Sequence, residues 1–230
     1  MFQGFSQQTL DFLWGIRFNN ERGWFEEHKQ DYLQYLYGPM QQLGAAVYDR
    51  MREEFPRLQL NLHVCRIYRD ARRLHGRGPY KDHLWFTLRE EDEGWACRPV
   101  FWFEIGPEDY NYGLGCYSAS PEGMEALRRA MDAAPAAMER LQRRLQRQKR
   151  FLLEGPEYAR PRPAASPLLQ EWYQKKSFAL TCQRPHDELE QSPKLAEELA
   201  EAFTWLMPYY RYFRRSMAAE TENFPVQEES

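Results

Sequence analysis

The densest group of cationic side chains in the sequence lies within residues 66–81, RIYRDARRLHGRGPYK. Guanidinium groups match the oxygens of a carboxylate or phosphate through paired hydrogen bonds, and a glycine-containing loop can add backbone N–H donors. Asp70 is the single carboxylate of this segment and would orient the arginines. The segment therefore predicts a site for an anion. Its cations are Arg66, Arg69, Arg72, Arg73, Arg77 and Lys81.

The predicted site has a strand-loop-strand form. On a strand, Arg66 and Tyr68 point to one face and Arg69 points to the other, so the strand end must twist or bulge to reunite the arginines. The competing interpretation is that the arginines lie along a sheet edge, where they pair with carboxylates of helices and keep the edge soluble. We predict that the anion contacts six residues. These are Arg66, Tyr68, Arg69, Arg72, Tyr80 and Lys81.

The candidate catalytic residues are Asp70 and Glu104. Beside arginines, Asp70 should be strongly acidic because positive charge favours the carboxylate, and this suits ion pairing better than proton abstraction near neutral pH. Glu104 belongs to the aromatic run VFWFEI, in which alternation places Phe101 and Phe103 on one face and Trp102 with Glu104 on the other. One face must be core, and the other could stack against a base or a sugar.

Histidine and cysteine spacing predicts neither a metal site nor a cofactor. The five histidines form no H-x-H or H-E-x-x-H pattern, and the four cysteines form no C-x-x-C pair. No serine lies on a recognisable nucleophile elbow, so a Ser-His-Asp triad cannot be assigned. We expect reduced, mostly buried thiols and no resident cofactor.

Charge and hydropathy restrict the partners. The net charge of −3 argues against a protein that coats nucleic acid, because such binding depends on many Lys and Arg contacts to phosphate. The N-terminus lacks the pattern of a signal peptide, and the longest strongly apolar run covers only residues 100–105. We therefore expect a cytoplasmic protein with no membrane contact and an anionic small molecule as its partner; the sequence identifies no protein partner.

Hydrophobic periodicity predicts an α+β fold. Residues 7–55 show helical spacing of apolar side chains, and short β-branched and aromatic runs follow at residues 62–69, 82–88, 97–105 and 110–117. The connections between these runs are short, so an antiparallel meander of about four strands is expected. Ser-Pro pairs at positions 120, 166 and 192 then begin further helices.

The length of 230 residues favours a single domain. We expect this α+β domain to cover residues 1–216, with helices from both ends of the chain flanking the sheet. The following residues 217–230 contain four glutamates and no cation, which predicts an acidic flexible tail.

Several motifs together resemble the bacterial and fungal family known as domain of unknown function 2461. They are FNNERGWFEEHKQDY, RIYRDARRLHGRGPYK, YNYGLGCY, EWYQKKSF and the final LMPYYRYF. The first block contains Asn20, for which we expect a helix-capping role. The resemblance runs nearly end to end and implies a conserved hypothetical protein without an established activity.

The basic segment is the most specific part of this resemblance. Family members usually read R-I-Y-R-D-x-R-F-S-x-D-K-T-P-Y-K, which aligns here without a gap. Loss of the Ser and Asp oxygens argues against a nucleophile or metal ligand on the loop, whereas the cationic positions persist. The matching residues are Arg66, Tyr68, Arg69, Asp70, Arg72, Pro79, Tyr80 and Lys81; the departures are Arg73, Leu74, Gly76, Arg77 and Gly78.

Three functions remain open from the sequence. The first is binding of a phosphate- or carboxylate-bearing small molecule at the basic segment. The second is a hydrolase for a phosphorylated or sugar substrate, in which the same arginines would stabilise transition-state charge. The third is a protein-interaction domain that docks through a basic helix around residues 140–150 and the aromatic residues 209–213.

Overall fold

A computed structural model of the chain describes residues 1–70, 72, 76, 78–90, 97–116 and 118–217. The described residues form an α+β fold with one six-stranded antiparallel sheet in the order β1-β2-β3-β4-β6-β5. The first four strands make the predicted meander. The strands are β1 (Asn61–Val64), β2 (Leu84–Arg89), β3 (Pro99–Ile105), β4 (Asp109–Cys116), β5 (Leu152–Glu154) and β6 (Ala179–Pro185).

Helices precede and follow the meander, as predicted. A π-helical turn, Tyr32–Tyr37, joins the third helix to the fourth. None of the helices in the described part of the chain is long and apolar enough to cross a bilayer. The helices are α1 (Gln7–Phe18), α2 (Arg22–Glu27), α3 (Lys29–Asp31), α4 (Gly38–Glu54), α5 (Pro121–Ala133), α6 (Pro135–Gln146), α7 (Gln170–Gln174) and α8 (Leu195–Met217).

The prediction of about four strands falls short by β5 and β6. The three residues of β5 are mostly exposed, so no apolar alternation marks them. In β6, three consecutive buried residues interrupt the alternation that a half-buried strand usually shows. β5 and β6 are therefore strands because they pair with neighbouring strands, and hydrophobic periodicity alone does not indicate them.

The chain contains two compact units. Within the described residues, the first comprises residues 1–70, 72, 76, 78–90, 100–114 and 181–206, and the second comprises residues 97–99, 115–116, 118–180 and 207–217. The expected single domain over residues 1–216 stays a prediction, as does the acidic flexible tail. Of that tail, only Met217 lies within the described residues, as the last residue of α8.

In the first unit, one face of β2 and β3 forms the core. Phe86 pairs in register with Phe103, and both side chains are fully buried. Helix α4 approaches this face through Gly44, where a Cβ atom would lie 2.8 Å from Leu62 Cδ1. Phe203 of α8 contacts Phe101 with ring centres 5.0 Å apart.

In the second unit, buried aromatic rings join α7, the residue that precedes β6, and α8. The ring of Phe213 lies 4.3 Å from that of Phe178 and 5.4 Å from that of Trp172. The Tyr209 hydroxyl donates a hydrogen bond of 2.9 Å to the backbone oxygen of Leu141 in α6. The aromatic side chains of residues 209–213 are therefore core, and the idea that they form a docking face is wrong.

A substitution at Gly115 of β4 tests how tightly the second unit is packed. A Cβ atom there would lie 2.6 Å from the backbone oxygen of Phe178, so we expect Gly115→Ala to lower the free energy of unfolding by about 1–3 kcal/mol. Gly23→Ala is the matched control, because no atom lies within 4 Å of that position in α2. The control should be neutral or stabilising by up to about 1 kcal/mol. Urea unfolding measures both; equal effects would refute the packing argument.

Candidate functional site

The basic segment does return on itself. Arg69 N donates 2.8 Å to Pro79 O, and Lys81 N donates 2.8 Å to Ile67 O. An antiparallel bridge pairs Tyr68 with Tyr80 between these two bonds. Residues 71, 73–75 and 77 lie outside the described residues, so the geometry below concerns the two arms of the segment.

The backbone of Tyr80 is the point at which the N-terminal helices hold the segment. Asn20 Nδ2 donates to Tyr80 O at 3.0 Å, and Tyr80 N donates to Asn20 Oδ1 at 2.9 Å. The prediction that Asn20 caps a helix is wrong, because Glu21 occupies the cap position of α2. The side-chain amide of Asn20 instead forms two hydrogen bonds with the Tyr80 peptide, as the backbone of a neighbouring strand would.

Gly78 permits this close approach. A Cβ atom at Gly78 would lie 2.2 Å from Asn20 Oδ1 and 2.6 Å from Asn20 Cβ, well inside any allowed contact. A larger residue at this position would push the Asn20 amide away from Tyr80. The departure from the family motif at Gly78 therefore fits the local packing of this chain.

Arg69 is directed towards protein acceptors. Its Nε donates 2.6 Å to Tyr80 O, and its Nη2 lies 3.7 Å from Asp82 Oδ1. Asp82 also accepts from Arg17 Nε at 2.7 Å, and Arg17 Nη1 donates to Glu108 at 3.0 Å. Arg69 therefore belongs to an ion-pair network, as the competing interpretation of the arginines expected, although its partner Asp82 precedes β2 and does not lie on a helix.

The Asp82 carboxylate is stabilised in its charged form. Burial alone raises its pKa, but hydrogen bonds from Arg17 and His83 outweigh burial and bring the pKa below its ordinary value. His83 Nδ1 lies 3.1 Å from Asp82 Oδ1. Sequence reasoning missed this centre, since Arg17 and Asp82 lie 65 positions apart and no local pattern connects them.

Arg66, Arg72 and Asp70 lie at the exposed side of the segment. Arg72 is 89% exposed, and its Nε and Nη2 donate to the two oxygens of Asp70 at 3.1 and 3.0 Å. The backbone N of Arg72 adds a third bond to Asp70 at 3.0 Å. Asp70 thus orients Arg72 in an ion pair, the arrangement that its position among arginines predicts.

The two tyrosines of the segment have different environments. Tyr80 is 3% exposed and stacks on Phe25 with ring centres 4.2 Å apart. Tyr68 is 48% exposed and meets the same Phe25 ring edge-on at 5.6 Å. Tyr80 is therefore a core residue that fixes the segment, whereas Tyr68 presents its ring at the surface.

Lys81 connects the segment to the sheet. Its Nζ donates to the backbone oxygens of Arg66 and of Tyr68, the latter at 2.9 Å. The same atom lies 3.5 Å from Cys65 Sγ and 4.9 Å from the centre of the Trp85 ring. Burial raises the pKa of the Cys65 thiol, and the Lys81 ammonium opposes that rise.

Trp85 belongs to the second face of the sheet, opposite the core. Strand register pairs Trp85 with Glu104 and Thr87 with Trp102, so all four side chains share this face. The predicted alternation in β3 is confirmed, because Phe101 and Phe103 are buried while Trp102 and Glu104 are partly exposed. We call this surface the polar sheet face, which comprises Trp85, Thr87, Trp102, Glu104 and Asn111.

Hydrogen bonds order the polar sheet face. Trp102 Nε1 donates 2.7 Å to Asn111 Oδ1, and Asn111 Nδ2 donates 3.3 Å to Glu104 Oε1. This chain fixes the amide orientation of Asn111 and holds the Glu104 carboxylate beside the indole. The Thr87 hydroxyl is buried, with 7% of the residue exposed, and it has no partner among the described residues.

The structure thus divides the predicted site. Arg69 and Tyr80 hold the segment together, Lys81 reaches the polar sheet face, and Arg66, Tyr68 and Arg72 are exposed. Within the described ranges, no group of three His, Cys, Asp or Glu side chains is arranged to hold a metal ion.

The profile of a family of conserved hypothetical proteins, DUF2461, matches residues 8–212. The chain belongs to this family. The match includes the basic segment and the polar sheet face, so the family inferred from the motifs is confirmed. No curated protein is similar in sequence to the chain. Membership of DUF2461 brings no reaction with it, so the function must be argued from the geometry.

The Asn20 contact predicts a localised loss of stability. Asn20→Ala removes both hydrogen bonds to the Tyr80 peptide and leaves a partly buried N–H without its acceptor, so we expect a loss of about 2–3 kcal/mol. Asn19→Ala is the control, since exposed Asn19 donates only to Gly15 O at 3.0 Å and should cost under about 1 kcal/mol. Chemical denaturation gives both values; losses of equal size would contradict the role of Asn20.

The ion pairs of Asp82 should make the free energy of unfolding sensitive to acid. Because its folded-state pKa lies below the unfolded value of about 3.9, the ionised form stabilises the fold above that pH. The contribution falls as the pH drops through the folded pKa. We expect Asp82→Asn to cost about 1–2 kcal/mol at pH 7 and progressively less below pH 4. Urea unfolding from pH 7 to pH 3 measures the difference; a constant difference would exclude the ion pair as its source.

Proposed function

We propose that this DUF2461 protein binds a small molecule bearing a phosphate or carboxylate on its polar sheet face. The observation that carries the proposal is the position of Lys81, whose ammonium lies over Trp85 at the end of the basic segment. An anionic group beside Lys81 would place the rest of the molecule against Trp85 and Trp102. The cationic segment and the aromatic face then act as one site.

Lys81 keeps one N–H for a ligand. An ammonium group has three donors, of which two serve the backbone oxygens of Arg66 and Tyr68. Among the described residues, the third has only the Cys65 sulfur, at 3.5 Å, and a thiol is a weak acceptor. An anionic oxygen would be a much stronger partner, since charge-assisted hydrogen bonds are about twice as strong as neutral ones.

The polar sheet face supplies the other groups that a small-molecule site needs. Trp85 and Trp102 are diagonal neighbours on adjacent strands, a spacing at which side chains about 7–8 Å apart at Cα form a continuous surface. Glu104 and Asn111 add an acceptor and an amide in fixed orientation. Such a combination of aromatic surface and few polar groups is typical of ligand sites.

The remaining residues of the basic segment have supporting roles in this proposal. Arg69 and Tyr80 fix the arm that carries Lys81, through the Tyr80 backbone oxygen and the Phe25 ring. Exposed Arg66 adds positive potential, which raises the rate at which an anion meets the site, whereas the charge of Arg72 is balanced by Asp70. Tyr68 borders the segment with its exposed ring.

A hydrolase is a second proposal, favoured by one observation. Glu104 lies on the same face as Lys81, so a carboxylate and a cation would both meet a bound substrate. In this case Lys81 would stabilise developing negative charge, and Glu104 would assist proton transfer. Glu104→Gln would then abolish turnover of a phosphorylated sugar while the sugar still binds. Unchanged turnover by this variant would exclude the catalytic role of Glu104.

Binding of anions can be tested with the whole chain. Thermal-shift and calorimetric titrations would use inorganic phosphate, adenosine monophosphate, glucose 6-phosphate and malate as probes. We expect at least one probe to raise the melting temperature saturably and Lys81→Met to weaken its binding at least 10-fold, because the ammonium is lost while the side-chain length is kept. Trp102→Phe should weaken organic probes more than inorganic phosphate, because only the former contact the ring.

Lys29→Met is the matched control. Lys29 is an exposed residue of α3 whose ammonium lies 3.7 Å from Glu26, so it has the same chemistry away from the site. Its substitution should leave every affinity unchanged. The proposal fails if no probe stabilises the protein, or if Lys81→Met binds as tightly as the control.

A further inference from the structure

The second unit contains a cleft whose lining differs from that of the polar sheet face. It encloses about 550 Å³, which lies within the range of small-molecule sites. Four glutamine and two glutamate side chains line it, and Pro167 with Leu168 provides its apolar part. None of its lining residues is a cation. The cleft is therefore unsuited to the anion proposed for the first unit.

Gln142 of α6 presents a fixed donor to this cleft. The residue is 4% exposed, and its Oε1 accepts a bond of 2.8 Å from Nε1 of the fully buried Trp172. An indole N–H can only donate, so this bond fixes which end of the Gln142 amide is the oxygen. Within the described part of the chain, the Gln142 nitrogen donates to no protein atom. The nitrogen is not one of the fully buried side-chain atoms that lack a partner, so water reaches it in the free protein, and a bound molecule could replace that water as the acceptor.

Two other glutamines make the wall of the cleft rigid. Gln170 accepts from Ala164 N at 3.0 Å and donates to Arg162 O at 2.8 Å. Gln174 accepts from Arg162 N at 3.1 Å and donates to Arg160 O at 3.3 Å. The extended connection before α7 is thus held by side-chain amides, which preserves the shape of the cleft without a ligand.

Two carboxylates also line the cleft. Glu157 forms an ion pair of 2.9 Å with Lys175, and exposed Glu171 adds a second carboxylate. These carboxylates would repel a phosphate, whereas they accept hydrogen bonds from hydroxyl groups. A hydroxyl both donates and accepts, so it matches a lining that offers one buried amide donor together with several acceptors.

We propose that this cleft binds a neutral saccharide. The Gln142 amide would donate to a ring or hydroxyl oxygen, and Glu157 and Glu171 would accept from hydroxyl groups. Leu168 and Pro167 would contact the less polar C–H face of a sugar ring. This assignment is independent of the anion site, since it rests on residues of the second unit alone.

Saturation-transfer NMR on the full chain tests the proposal with glucose, galactose, N-acetylglucosamine, maltose and cellobiose. We expect saturable binding of at least one sugar, undisturbed by inorganic phosphate. Gln142→Glu retains an oxygen for Trp172 but loses the NH₂ donor, so it should weaken binding at least 10-fold. Gln41→Glu makes the same change at an exposed position of α4 and should leave the affinity unchanged. If no sugar binds, or if the two variants bind alike, the proposal is wrong.

A second variant covers the case in which Gln142→Glu does not fold, since a carboxylate at a buried position is costly. Glu171 is exposed in α7, and Glu171→Ala should therefore preserve the fold, which circular dichroism would verify. We expect this variant to weaken sugar binding about fivefold or more. Unchanged affinity in folded Glu171→Ala would overturn the proposal.

Discussion

The peptide group of Tyr80 is the junction on which the first unit depends. Its N–H and its oxygen both bond to the Asn20 amide, and the same oxygen accepts from Arg69. These bonds link the turn between α1 and α2 to the arm that leads into β2. Lys81 and Asp82 follow Tyr80 directly in the chain, so this junction also restricts their positions. The peptide group of Tyr80, whose ring stacks on Phe25, thereby positions both an ion-pair network and the cation proposed to meet a ligand.

Much of the fold follows from patterns along the chain. The switch from helical to alternating spacing near residue 61 predicts the meander, and alternation in β3 correctly separates Phe103 from Trp102. Periodicity does not predict which residue each polar side chain will bond to. Arg17 and Asp82 meet because the fold brings α1 to the start of β2, and β5 is a strand only because β6 lies beside it. Local sequence patterns determine the helices and strands, whereas contacts between distant residues determine which charged side chains form ion pairs within the protein.

The candidate site changed most where long-range pairing is involved. A dense cationic segment suggests that every arginine serves a ligand, yet Arg69 and Arg72 donate to protein acceptors. Lys81 differs because its ammonium lies beside an aromatic ring and keeps one donor whose partner, within the described part of the chain, is a thiol sulfur. The basic segment thus combines residues that hold the segment in place with one that faces the sheet. A sequence motif records both kinds of residue without distinguishing them.

The closeness of Cys65 to Lys81 makes this thiol an internal reporter of occupancy. Its reactivity depends on the thiolate fraction, which burial decreases and the nearby ammonium increases. A bound anion that neutralises Lys81 would remove the favourable charge, and alkylation of Cys65 by iodoacetamide would slow. The native chain therefore carries its own chemical probe at the surface where recognition is proposed, and ligands of unknown identity can be sought by their protection of one cysteine.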